Sequence, residues 1–327
     1  MALGEFELIE RYFRAPAEAL RRERGDVVLG IGDDAALLQV PAGMQLVAAL
    51  DTLVEGRHFP RGTSPASLGH RALAVNLSDL AAMGAQPAWF LLSLTMPDAR
   101  AEFLEGLAGG MLALAQEHRI ALVGGDTTAG PLSVTVQALG LVPAGSALHR
   151  NAARVGDLLF VSGTPGDAAA GLALEQGVAA APQLDAEQQH WLRQRFLYPT
   201  PRVALGLALR GLASACIDVS DGLAADAGKL AHASGCGACI EVERLPLSAA
   251  LRAQLAGGAA RAALTGGDDY ELCFTVAPSR ADELVSRLAN VKCQATQIGV
   301  MEQAAGVRVL ERGTPINFDP GGYDHFP

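Results

Sequence analysis

The aspartates of this chain recur in one local setting: an apolar run, one or two glycines, then an acid. GIGDD at 30–34, VGGDT at 123–127 and TGGDD at 265–269 are the three instances. To these are added Asp51 behind QLVAAL, Asp79 three residues after Asn76, and Asp218 and Asp221 in IDVSDGL at 217–223. Glycine lets the backbone turn sharply and lets a ligand approach, so a short carboxylate at such a place can be aimed into a cleft. Any one of these acids has an ordinary role as a turn former or helix cap, Asp221 before Gly222 among them. Taken together, in a chain with only 18% charged residues, they imply carboxylates converging in a cleft. There they repel one another unless hard divalent cations intervene.

Magnesium shares its coordination shell between one or two carboxylates, water and substrate phosphates. Phosphoryl transfer draws its catalysis from positioning and charge neutralisation, with little covalent help from the protein. An acidic cleft of this kind therefore suits Mg²⁺ and a nucleotide such as ATP. Lysine occurs only at Lys229 and Lys292, so phosphate must be held by arginine, backbone amides or metal. Residues 222–229 imitate a Walker A loop, but five residues separate Gly222 from Gly228 where the motif has four, and Leu230 replaces the hydroxyl residue. GTPGDAAAG at 163–171 offers amides to a phosphate at a helix start, or is simply a structural turn.

The elements that must position these acids are of mixed type. Phe6, Ile9 and Phe13 have helical spacing, and 26–31 read as a strand entering GIGDDA. QLVAAL is a strand ending before Asp51. Residues 66–84 form a helix with Leu73, Leu77 and Leu80 on one face and Asn76 and Asp79 on a neighbouring face. A helix follows at about 99–118, then strand and turn at 120–128 and a strand at 132–142. Periodicity lapses over 143–156, the best boundary, giving domains 1–148 and 149–327. The second half offers strands at 157–162, 215–219, 238–242 and 271–276. Helices fall after 163, near 201–213, after Gly222 and at about 280–289. The fold class is α/β in two domains, each a layer of sheet and helix.

Length supports two domains of the usual roughly 100–200 residues, and 50% hydrophobic content supplies their cores. A formal net charge of −10 argues against nucleic acid as a partner. No apolar run approaches the ~20 residues that cross a bilayer, and Glu5, Glu7 and Glu10 are wrong for an export signal. A soluble, cytoplasmic protein without a membrane partner is expected. Five cysteines do not make a disulfide framework, and Cys236 and Cys239 lack the second ligand pair of a closed zinc site.

Eight blocks in order, GEFELIERYF, GIGDDAALL, DTLVEGRHF, ALAVNLSDLAAMGAQPAW, GGDTTAGPLSVT, IDVSDGL, GGDDYELCF and GYDHF, resemble the thiamine-monophosphate kinase family along nearly the whole chain. The resemblance implies a fold like that of aminoimidazole ribonucleotide synthetase and a homodimer joined through N-terminal sheets. It also implies direct transfer of the ATP γ-phosphoryl to thiamine monophosphate, the last step to thiamine diphosphate. It makes Asp34, Asp51, Asp79, Asp126 and Asp218 magnesium ligands, with Asp221 at a further metal position, and makes the catalysis of Asp126, Asp218 and Asp221 metal-assisted. Gly125, Asp126, Arg150 and Ser220 would meet ATP, while His58, Asp268 and Tyr323 would meet the thiamine substrate. Two departures stand out. The family often has Ser-Thr where Ala49 and Leu50 stand, leaving the Leu50 carbonyl as donor, and commonly has Glu where Asp268 stands. Other ATP-dependent synthetases of the superfamily and a non-catalytic nucleotide or cation-binding regulator are the alternatives. A selenophosphate enzyme usually carries an early Cys or selenocysteine, and no cysteine precedes Cys216.

Overall fold

A computed structural model describes residues 4–178 and 184–322. The chain divides into two compact units, 1–80 with 85–145, and 81–84 with 146–327.

The first unit opens with α1 (Glu5–Ile9), a π-helical turn at Glu10–Arg14 and α2 (Ala15–Arg22), followed by the short pair β1 (Val27–Leu29) and β2 (Leu37–Leu38). The long strand β3 (Met44–Val54) leads to helix α3 (Pro65–Ala82), then β4 (Gln86–Met96), α4 (Ala101–His118), β5 (Ala121–Ala129) and β6 (Ser133–Pro143). Four strands form one sheet in the order β3-β6-β4-β5. The leucine stripe of α3 is buried as its spacing predicts, with Leu73, Leu77 and Leu80 at 0% exposure. Two glycines let α3 and α4 touch backbone to backbone. A Cβ on Gly69 would sit 2.0 Å from the Leu107 carbonyl oxygen, and one on Gly110 would sit 1.9 Å from that of Ala66.

The sheet has two unlike faces. Val134, Val136 and Ala138 of β6 are fully buried, and Leu80 of α3 lies against Gly140. Alternate residues point the other way. On that side Leu46 and Leu50 of β3 are 47% and 60% exposed.

The second unit carries β7 (Leu158–Ser162), α5 (Asp167–Glu175), α6 (Ala186–Leu197), α7 (Val203–Leu209), β8 (Ala215–Val219), α8 (Leu223–Ala233) and β9 (Gly237–Glu241). It continues with α9 (Ala249–Leu255), α10 (Ala259–Thr265), β10 (Glu271–Val276), α11 (Ala281–Leu288), β11 (Ala295–Glu302), β12 (Gly306–Glu311) and β13 (Thr314–Pro315). Its seven-stranded sheet runs β13-β12-β9-β11-β7-β10-β8, antiparallel except for β12 beside β9. Leu223, Ala224, Ala227, Leu230 and Ala231 of α8 pack with Ile217, Val219 and Ile240 of the sheet. Both units are thus layers of sheet and helix, as the two-domain α/β expectation required. The expectation that β3 and the strand of GGDTT stop before their acids is corrected: both run on, so Asp51 and Asp126 lie inside strands. Pairing with β6 and β4 extends them, because the added residues continue the ladder, with alternate residues of edge strand β3 hydrogen-bonded to β6.

Candidate active site

In the first unit the cross-strand register decides where the acids point. Asp126 is paired with Ser93, Ser93 with Thr135, and Thr135 with Thr52. These four therefore share the helix-free face, and the Thr52 and Thr135 hydroxyls confirm it with a 2.9 Å hydrogen bond. One row along, Asp51, Val136, Leu92 and Gly125 are in register, so Asp51 faces the helices. Gly125 has φ +154, and a Cβ there would lie 1.9 Å from the Leu92 carbonyl oxygen. Only glycine allows β5 to approach β4 so closely just before Asp126.

On the helix side the Asp51 carboxyl meets that of Asp79 on α3 in a hydrogen bond. Burial raises the Asp51 pKa, and the contact with Asp79 opposes it. Two acids sharing a hydrogen bond in a half-buried place need either a proton or a cation between them. Leu50 exposes its side chain on the opposite face, and its strand β3 lies at the sheet edge, where half of the backbone groups lack a ladder partner.

Asp34 is exposed after Gly32, whose φ is +121, and its amide donates to the Asp33 carboxylate at 2.8 Å. His58 follows β3, and its Nδ1 accepts from the Val54 amide at 3.0 Å, which makes Nε2 the protonated nitrogen of the neutral ring.

The second unit gathers its acids at one end of β8 and β10. Asp218 is in β8, opposite Leu272. Ser220 and Asp221 form the turn into α8, through Gly222 at φ +119. The loop 266–270 lies directly on this turn: the Asp268 amide donates to the Ser220 carbonyl at 2.9 Å, and Tyr270 N donates to Val219 O at 2.8 Å. A Cβ on Gly267 would stand 2.6 Å from Ser220 O. Asp268 and Tyr270 both take left-handed backbone, φ +70 and +52, which is uncommon for residues with a side chain and collects at functional sites. The Tyr270 hydroxyl donates to the Asp268 carboxylate at 3.2 Å. Arg150 is exposed, and its carbonyl accepts from the Ser234 hydroxyl at 3.0 Å. Tyr323 lies outside the described residues.

Three acids that the sequence reading passed over hold this corner in shape. Asp226, 1% exposed, accepts from the amides of both Ser220 and Asp221 at 2.9 Å. It also accepts from Lys229 Nζ at 2.8 Å, and Lys229 pairs with Asp221 as well. Asp269, fully buried between the two left-handed residues, accepts from Gly166 N at 2.6 Å and Ala168 N at 3.1 Å at the start of α5. Glu271 accepts from Arg195 at 2.6 Å, Arg202 at 2.6 and 2.5 Å, and Ser162 Oγ at 2.5 Å. The motif TGGDDYE thus alternates: 268 and 270 are held in strained backbone while 269 and 271 are anchored inward. Asp269, Tyr270 and Glu271 are buried in succession, so no period along the motif marks the two inward acids.

One reading changes as a result. The amides of GTPGDAAAG serve Asp269, so the phosphate role offered for that turn is replaced by an internal cap. Among the described residues, no three His, Cys, Asp or Glu side chains meet at one point suited to a metal ion. The acids stand instead in smaller sets within each unit, such as Asp51 with Asp79. Magnesium takes only one or two protein carboxylates where phosphate oxygens complete its shell, so the donor set fits that ion. Cys236 and Cys239 are buried free thiols. No helix among the described residues is long and apolar enough to cross a membrane.

Residues 32–142 match the family described as AIR synthase related protein, N-terminal domain, and residues 154–311 match its C-terminal domain. The thiamine-monophosphate kinase of Salmonella typhimurium is 48% identical over all of this chain and 99% of its own length. The crystal structure of thiamine-monophosphate kinase from Stenotrophomonas maltophilia K279a superposes with a TM-score of 0.86 at 49% identity, covering 94% of this chain and 97% of that one. AaThiL complexed with AMPPCP and TMP gives 0.77 at 33% identity, over 100% and 99% of the two chains. With two AIR-synthase-type domains in order, acids held within strands and at turns, and near-complete coverage of these relatives, the chain belongs to the thiamine-monophosphate kinase family.

Proposed function

We propose that this chain transfers the γ-phosphoryl group of ATP directly to the phosphate of thiamine monophosphate, forming thiamine diphosphate in a Mg²⁺-dependent reaction in the cytoplasm. The observation that carries the reading is the contact between Asp51 and Asp79, two acids brought together where a hard cation resolves their repulsion. Family membership supplies the substrate class, since a relative of this chain is complexed with AMPPCP and TMP.

Mg²⁺, when bound, would supply the positive charge that offsets the phosphates. The N-terminal domain, placed at residues 1–148 from the sequence, provides Asp34, the Leu50 carbonyl, Asp51, Asp79 and Asp126 as ligands. The C-terminal domain, placed at 149–327, provides Asp218 and Asp221. Gly125, Asp126, Arg150 and Ser220 orient ATP, with Arg150 meeting phosphate in a chain almost without lysine. His58, Asp268 and Tyr323 orient the thiamine substrate. His58 donates from Nε2, because Nδ1 is taken by the Val54 amide. Asp268 is presented by left-handed backbone and aimed by the Tyr270 hydroxyl. Catalysis by Asp126, Asp218 and Asp221 is electrostatic, and no side chain is phosphorylated on the way. Leu46 and Leu50, exposed on the helix-free sheet face, support a homodimer through that face.

Purified protein supplied with Mg²⁺ and ATP is expected to release ADP only when thiamine monophosphate is present, with inversion at a chiral γ-phosphorus. ADP release indifferent to the thiamine substrate would remove the assignment, and net retention would replace direct transfer by a phospho-enzyme.

A further inference from the structure

We propose that Lys229 is a resident counter-cation for Asp221: its ammonium occupies that carboxylate until a divalent cation displaces it, so this exchange sets the cation affinity of the corner. The inference rests on reading Asp221 as a metal ligand.

Twenty-three of the chain's twenty-five basic side chains are arginine, and one of its two lysines stands here. Lys229 points back along α8 to Asp226 at 2.8 Å and onward to Asp221 in the turn before the helix. Asp226 has separate work. One of its oxygens accepts from the Ser220 and Asp221 amides, the other from Lys229, and its side chain is 1% exposed. That grip fixes the turn whether or not Lys229 also touches Asp221. Asp221 is 31% exposed and Lys229 44%, so their contact lies within reach of solvent and ions.

The geometry makes release inexpensive. When the ammonium leaves Asp221 it keeps Asp226, three positions earlier on the same helix, so no buried charge is stranded. When a divalent cation leaves, Lys229 returns and Asp221 is not left uncompensated beside Asp226. A compact ammonium on a flexible stem suits this exchange, whereas the planar guanidinium fork of arginine would grip a carboxylate through two bonds. The Walker-like spacing of 222–229 thus ends on a lysine that holds a carboxylate and not a phosphate.

The test uses the full-length protein without nucleotide. In the wild type, acetylation of Lys229 by an amine-reactive ester is followed by peptide mass spectrometry, with Lys292 as internal reference. Adding Mg²⁺ should raise the relative rate at Lys229 about two- to fivefold, the scale of a part-exposed ion pair. Mn²⁺ titrations read by the resonance of the free ion should show Lys229→Met binding about two- to fivefold more tightly than wild type and Lys229→Arg no more tightly. Acetylation indifferent to Mg²⁺, with Lys229→Met binding no tighter, would overturn the exchange. Asp221→Asn separates the two layers. If it weakens Mn²⁺ binding while the lysine results fail, only the exchange is wrong. If it leaves the titration unchanged, Asp221 is not a ligand and both readings fall.

Discussion

Asparagine at position 51 should make the metal-free protein more stable and its response to magnesium weaker. The wild type holds the Asp51 and Asp79 carboxyls in one hydrogen bond, with Asp51 partly buried. Two full charges about 4 Å apart at an effective dielectric constant near 20 repel by ~4 kcal/mol. The pair escapes part of this by sharing a proton, so the relief from Asp51→Asn is smaller, about 1–2 kcal/mol. At roughly 2–4 °C per kcal/mol for a domain near this size, the first unit should melt about 2–8 °C higher without metal. The sign with pH follows from the raised Asp51 pKa. Stability is complete below the unfolded carboxylate range and is lost as pH rises through the folded value, so the variant's advantage widens across that interval and then levels. Saturating Mg²⁺ reverses the order. A hundredfold excess over Kd adds about 2.7 kcal/mol to the wild type, and an amide in place of a charged ligand forfeits most of that gain. Thermal melts with and without Mg²⁺ at two pH values provide the assay. If Asp51→Asn melts below wild type in the absence of metal and keeps the full Mg²⁺ increment, the carboxyl pair is a structural hydrogen bond and not a cation site.

Asp126→Asn keeps side-chain size on an exposed stretch of β5 and should lower kcat roughly 10²–10³-fold with little change in melting temperature; a large drop in stability with normal turnover would mark Asp126 as structural. Glu271→Gln strands the buried guanidinium of Arg195 and the part-buried one of Arg202 and should cost about 3–5 kcal/mol, read by denaturant unfolding. Although burial opposes it, Arg202 and Arg195 hold the Glu271 pKa below the usual glutamate range, so that cost should shrink as pH falls into the acid range, where wild type also loses the pair. Leu50→Arg, on the helix-free face, should convert a dimer to a monomer of 33.8 kDa by light scattering; an unchanged mass would move the interface elsewhere.

Several elements were legible because their periodicity has a single interpretation. The leucines at 73, 77 and 80 announce α3, and the apolar run ELCFTV appears as β10 at 271–276. β4 was not legible: nearly all of PAWFLLSLTM is apolar, and a continuous apolar run has no period to distinguish a centrally paired strand from a buried helix. The acids followed the same division. Glycine followed by aspartate marks a candidate carboxylate from local chemistry, exposed at Asp33 and Asp126 but buried at Asp157 and Asp167, and the ordered motifs identify the family. Local chemistry does not say that Asp51 and Asp126 lie on opposite faces of one sheet, because facing depends on how far each strand is extended by its partners and in what register. Nor does it reveal that Asp269 caps a helix start about a hundred residues earlier, or that Asp226 takes the two amides of the turn carrying Asp221. Residue types and their order were therefore decided along the chain. Which carboxylates face outward and which are spent holding the backbone was decided by tertiary hydrogen bonding, since a buried acid persists only where distant donors satisfy it.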